Sequence, residues 1–99
     1  MDSATPRIVL TMIQANRKGQ VTTLPDTGRT ITAMSSLLAA KHKLKITKVP
    51  STAYDIRDAN NQRIEIVGTT QIKLILNTSQ ISTIALISDA LPEDQLILG

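Results

Sequence analysis

The sequence has no cysteine, tryptophan or phenylalanine, and Tyr54 is the one aromatic residue among 99. Without cysteine, disulfides, thiolate chemistry and cysteine-ligated zinc are excluded. Without aromatic platforms, modules that stack the bases of single-stranded nucleic acid are nearly excluded. A lone histidine, His42, makes no multi-histidine metal site, and neither a metal nor another cofactor is expected. No run approaches the ~18 apolar residues of a membrane span. The opening Met1-Asp2-Ser3 lacks the basic and apolar regions of a signal peptide. The expectation is a soluble, cytoplasmic chain that does not contact membranes. Charged residues amount to 19%, too few for a disordered polyelectrolyte.

What is present is aliphatic. Hydrophobic residues make up 41%, so the core must come from Ile, Leu, Val, Met and Ala. The length suits one domain over residues 1–99, with no linker or low-complexity tract. Short β-rich runs dominate: Arg7–Ile13, Gln20–Leu24, Thr30–Met34, Leu44–Val49, Ala53–Arg57, Arg63–Val67, Thr70–Leu76 and Ile81–Ile87, closing on the apolar Leu96–Gly99. Turn residues separate them at Asn16–Gly19, Asp58–Gln62 and Asn77–Ser79. Ser36–Lys43 is the single helical stretch, with a serine to cap it and a basic end. The pattern predicts an all-β, closed, mostly antiparallel barrel with one short helix.

One segment carries chemistry. In Leu24-Pro25-Asp26-Thr27-Gly28 a carboxylate occupies a tight turn directly after an apolar strand, followed by a hydroxyl and a glycine. Here the chain resembles the retropepsins, the aspartic proteases of retroviruses and LTR retrotransposons, whose signature is Asp-Thr-Gly. The run Asp58–Gly68 looks like the flap hairpin and following glycine of gypsy-type retrotransposon proteases. Asp89–Gly99 resembles their second signature, apolar residues followed by Gly. The resemblance spans about Arg7 to Gly99.

It implies an acid-protease barrel forming one half of a two-fold dimer, and an endopeptidase that cleaves a Gag-Pol type polyprotein. Asp26, Thr27 and Gly28 would form the catalytic loop. Arg29, Thr30 and the flap residues Asp58, Ala59, Asn60 and Asn61 would line the substrate cleft. The partners implied are a second copy of the chain and a peptide or polyprotein, in the cytoplasm within virus-like particles. Three features depart from the family. Arg29 stands where Ala or Ser is usual, and the polar tip Asn60-Asn61 replaces a glycine-rich one. The chain also stops at Gly99, where the family continues into a helix and a terminal strand. The expectation is therefore a domain truncated after Leu-Ile-Leu-Gly, with an interface strand only before Arg7 or in Leu96–Gly99 and a weak dimer. The same departures keep open an alternative, a retropepsin-fold module of weak or no catalysis that serves dimerisation or peptide binding.

Other residues read more plainly. The Lys41, Lys43, Lys45, Lys48 cluster is first a solvated face and only weakly a patch for nucleic acid. His42, inside that cluster, reads as a surface residue.

Overall fold

The computed structural model describes residues 8–25, 31–50, 52–58, 60–91 and 95–98. The chain opens on a hairpin of β1 (Ile8–Gln14) and β2 (Arg17–Pro25), paired from Ile8↔Thr23 to Gln14↔Arg17. Its turn is the two residues Ala15-Asn16, not Asn16–Gly19. Ala15 adopts φ 54°, and a two-residue hairpin loop needs such left-handed backbone to match the strand twist. The polar Arg17 and Lys18 then fit an exposed strand position as well as a turn.

Further along come β3 (Thr32–Met34), α1 (Ser36–Lys41), β4 (Thr47–Lys48), β5 (Ile56–Arg57), β6 (Arg63–Ile64), β7 (Gly68–Leu76), β8 (Ser79–Ile87) and β9 (Gln95–Leu98). Six strands close a barrel in the order β1-β2-β9-β3-β8-β7, and β7 returns to β1 through Met12↔Leu74. The barrel is mostly antiparallel, but β2–β9 and β3–β8 run parallel. The all-β, closed architecture expected from the sequence is therefore present. β5 and β6 form a separate two-stranded sheet.

The core is aliphatic: Leu10, Met12, Val21, Met34, Leu38, Ala39, Ile72, Leu74, Ala85, Ile87 and Leu96. In β7 the buried Thr70, Ile72 and Leu74 alternate with the exposed Gln71 and Lys73, the period of a strand with one wet face. In β8 the run Ala85-Leu86-Ile87 is buried without alternation, as in a strand covered on both faces.

The helix is shorter than the expected Ser36–Lys43. Ser35 caps it, its Oγ accepting the Leu38 N–H at 3.0 Å. It ends because Lys43 turns left-handed at φ 54°. The Leu44 N–H then reaches back to the Ala39 carbonyl and the Lys43 N–H to that of Ala40, each at 3.0 Å, a Schellman arrangement. Leu44 packs against the core and completes the stop.

The expected strand Leu44–Val49 is reduced to Thr47–Lys48. Residue 45 is held by side chains in place of a ladder. Gln14 Oε1 accepts the Lys45 N–H, the Thr70 hydroxyl donates to the Lys45 carbonyl at 2.7 Å, and Gln14 Nε2 donates to Thr70 Oγ1 and the Gln71 carbonyl.

Gly68 pairs with Lys48 across the β4–β7 contact. A Cβ there would lie 2.8 Å from the Thr47 carbonyl oxygen and 2.5 Å from Ile46 Cγ2. Backbone cannot yield cheaply, so Gly68→Ala should detach β4 and cost about 1–3 kcal/mol, as overpacking does. Urea titration checks this; an unchanged midpoint would mean that β4 moves freely.

Leu96–Gly99 was a candidate for an interface strand between two chains. Instead Leu96–Leu98 lies inside the barrel, hydrogen-bonded to β2 on one edge and β3 on the other. A strand paired on both edges has no free ladder for a partner. The other candidate segment, before Arg7, lies outside the described residues. Among the described residues, no helix is long and apolar enough to cross a membrane.

Candidate functional site

The expected catalytic residues Asp26, Thr27 and Gly28, with Arg29 and Thr30 beside them, lie outside the described residues, as does Ala59. β2 ends at Pro25, immediately before Asp26, and β3 begins at Thr32, two residues after Thr30. These two consecutive strands are not neighbours, because β9 is inserted between them. Adjacent strands lie about 4.8 Å apart, so the ends joined by the 26–30 segment are separated by two such spacings, about 10 Å.

β9 runs parallel to β2, with Leu24↔Ile97 and Pro25↔Leu98 in register. β2 and β9, far apart along the chain, therefore end side by side. Residue 26 follows one member of the last pair and residue 99 follows the other. On the other edge of β9, Ile97 pairs with Ala33 of β3. A single strand thus fixes both approaches to the Asp-Thr-Gly segment.

Buried polar groups tie the strands around β9 together. Thr23 is fully buried, and its hydroxyl donates to the Leu96 carbonyl at 2.8 Å. Ser88 is fully buried after β8; its N–H donates to the Met34 carbonyl at 3.0 Å and its Oγ accepts the Ala90 N–H. Thr32 is buried at the start of β3. Sequence reasoning missed Thr23 and Ser88 as anchors. Their only signal was a hydroxyl at or beside a β-rich run, where an exposed face is the commoner outcome.

The hairpin expected to cover the site is present but shorter than Ala53–Arg57 and Arg63–Val67. Its paired residues are Ile56↔Ile64 and Arg57↔Arg63. Asp58 organises the tip: its Oδ1 accepts the N–H groups of Asn60 and Gln62, each at 2.9 Å. The Asp58 N–H donates to the Gln62 carbonyl, and Asn61 takes φ 61°. Arg57 donates to the Asn61 carbonyl at 3.2 Å and lies 3.4 Å from the Asp55 carboxylate. Asn60 and Asn61 are exposed. Asp58 thus has an internal task in the turn besides any contact with a substrate.

Removing that carboxylate by Asp58→Ala should cost the hairpin about 1–2 kcal/mol, the usual loss from stranded donors at a charged acceptor. The hairpin forms a sheet apart from the barrel, so the opening should be local. Amide exchange at Asn60 and Gln62 should accelerate about tenfold while the global unfolding midpoint holds. A shifted midpoint would show the hairpin to be part of the cooperative unit.

His42, expected at the surface, is half-buried with its ring over Gly19. Burial, and then the charge of Lys41, hold its pKa below the usual imidazole value. Among the described residues, no three His, Asp or Glu side chains gather in a way that could hold a metal ion. The chain matches no model of a known protein family and no curated protein sequence.

Proposed function

We propose that this chain is one half of a homodimeric aspartic endopeptidase of the retropepsin type, acting on a Gag-Pol type polyprotein. The observation that supports the reading is the parallel β2–β9 register, which ends the two strands side by side at Pro25 and Leu98, the residues that precede Asp-Thr-Gly and the final Gly in the sequence. An aspartate that must activate water needs a rigid approach on both sides, and β9 supplies it through its two edges.

The chemistry needs two carboxyl groups sharing one proton, one activating the water and the other polarising the scissile carbonyl. Only Asp26 is followed by Thr-Gly; Asp2, Asp55, Asp58, Asp89 and Asp94 are not followed by either Thr-Gly or Ser-Gly. The second carboxyl group therefore comes from Asp26 of a second copy on a two-fold axis. Thr27 would brace the paired loops, Gly28 would admit the peptide backbone, and the hairpins around Asp58, Asn60 and Asn61 would close over the substrate. Arg29 and Thr30 would line the adjoining pocket. Arg29 also favours the second reading, since a long cation beside the dyad suits a peptide-binding module with little turnover.

Polyprotein-derived peptides incubated with the chain between about pH 4 and 7 test the reading. A shared site makes the rate rise with the square of chain concentration while monomer predominates. Sedimentation showing a dimer without cleavage would favour the binding module. Cleavage strictly proportional to chain concentration at every dilution would overturn the shared site.

A further inference from the structure

The positive charge of this chain is segregated. Residues 3–54 hold eight of the eleven Lys and Arg residues but only one of the eight Asp and Glu residues, Asp26. The fold concentrates part of that charge in an open cleft of about 280 Å3 between the β1–β2 hairpin and the end of α1, lined by Arg17, Lys18, Lys41, His42 and Lys43. A second, larger groove of about 1210 Å3 adjoins it, sharing Gln14 and adding Lys45 and Lys73. Neither lining contains a carboxylate. None of these Lys and Arg side chains forms an ion pair among the described residues. Like charges gathered without counter-charges repel one another, and an anion relieves that repulsion.

We propose that this cleft and groove form a track that binds the phosphate backbone of a nucleic-acid strand without reading its bases. Six Lys and Arg residues along two adjoining concavities suit a ligand with several phosphates better than a single anion. Hydroxyls of Thr47, Thr69, Ser82 and Thr83 line the groove, as groups that position phosphate and sugar do. Base readout has little to work with. No Phe, Tyr or Trp side chain lines either concavity, and the Gln14 amide is engaged by Thr70, Gln71 and Lys45. The missing side chain at Gly19 is what lets the His42 ring into the cleft, since a Cβ there would lie 2.6 Å from Nδ1. Arg17 and Lys18 from β2, Lys41 at the end of α1 and Lys43 just beyond it line the same cleft as that ring. A bound phosphate would offset their field and favour the imidazolium, so binding should tighten as pH falls from 7.5 to 6.

Fluorescence anisotropy with a labelled 12-nucleotide single strand, titrated across salt concentrations, tests the proposal. Neutralising three to five phosphates gives a slope of log affinity on log salt of about −2 to −3.5. The pair Arg17→Gln with Lys18→Gln, and the pair Lys41→Gln with Lys43→Asn, should each weaken binding at least about tenfold and flatten the slope. Asparagine is chosen because it tolerates the left-handed backbone at residue 43. Arg57→Gln removes the same kind of charge from the separate hairpin and should leave affinity within about twofold. His42→Gln should abolish the tightening at pH 6. Circular dichroism confirms that each variant folds. Equal losses from Arg57→Gln, equal affinity for polyglutamate, or binding of inorganic phosphate with none of the oligonucleotide would each overturn the proposal. These outcomes do not depend on peptide cleavage, so they stand or fall separately from the protease reading.

Discussion

Asp26→Asn is expected to abolish peptide cleavage while leaving the fold and the dimer in place. Asparagine is nearly isosteric with aspartate and keeps most of its hydrogen-bonding capacity, but it cannot hold the shared proton or act as the base. A dyad works only while one of its two carboxyl groups is ionised and the other protonated. The wild-type rate should accordingly follow a bell-shaped pH profile whose two limbs belong to the pair and not to either chain. Removing the charge also removes like-charge repulsion at the axis, so the variant dimer should be no weaker than wild type. The sharpest measurement is subunit poisoning. At chain concentrations where dimer predominates, wild-type chain mixed with a ninefold excess of Asp26→Asn chain should be found mostly in mixed dimers, each with one usable carboxylate, and activity per wild-type chain should fall about tenfold by random pairing. Unchanged activity in that mixture would mean that each chain works alone.

The second large effect belongs to Leu96→Ala. Leu96 is fully buried in β9, between the two strands that lead into and out of the Asp-Thr-Gly segment. Truncating such a leucine costs about 2–5 kcal/mol in transfer and cavity terms. Domains of this size are stable by about 5–15 kcal/mol in total. With a urea slope of about 1–2 kcal/mol per molar, the midpoint should fall by at least ~1 M. Leu76→Ala makes the comparison: Leu76 is 42% exposed at the end of β7 and should change stability by under about 1 kcal/mol. Thr23→Val probes the same anchor without a cavity, because it strands the Leu96 carbonyl while keeping the side-chain shape. Equal midpoint shifts for Leu96→Ala and Leu76→Ala would show that β9 is peripheral to the cooperative fold.

The residues differ in how readily they disclosed these roles. The runs expected for β2, β7 and β8 lie within those strands, and β1 takes up Ile8–Ile13 of the expected Arg7–Ile13, because β-branched and apolar residues favour extended backbone. Helix α1 was legible at its start, where Ser35 supplies a cap, but not at its end. No local rule makes Lys43 a left-handed residue; the packing of Leu44 on the core does that. The strand expected at Leu44–Val49 was an alternation that tertiary contacts overrode, with Gln14 and Thr70 taking the backbone bonds of Lys45.

The candidate site divides along the same line. Sequence alone supplied the residues on which the proposal rests, one Asp-Thr-Gly, no cysteine and one histidine, so that the proposed carboxylate mechanism would need two chains. Sequence also determined that an aliphatic β-barrel would carry it, because strand periodicity and turn residues are local properties. Only the tertiary structure decided that Leu96–Leu98 lies between β2 and β3, that it is spent inside the barrel, and that Arg17, Lys18 and His42 share one cleft. Those are pairings between residues distant in the chain. Their energy comes from burial and ladder hydrogen bonds that no single segment possesses by itself.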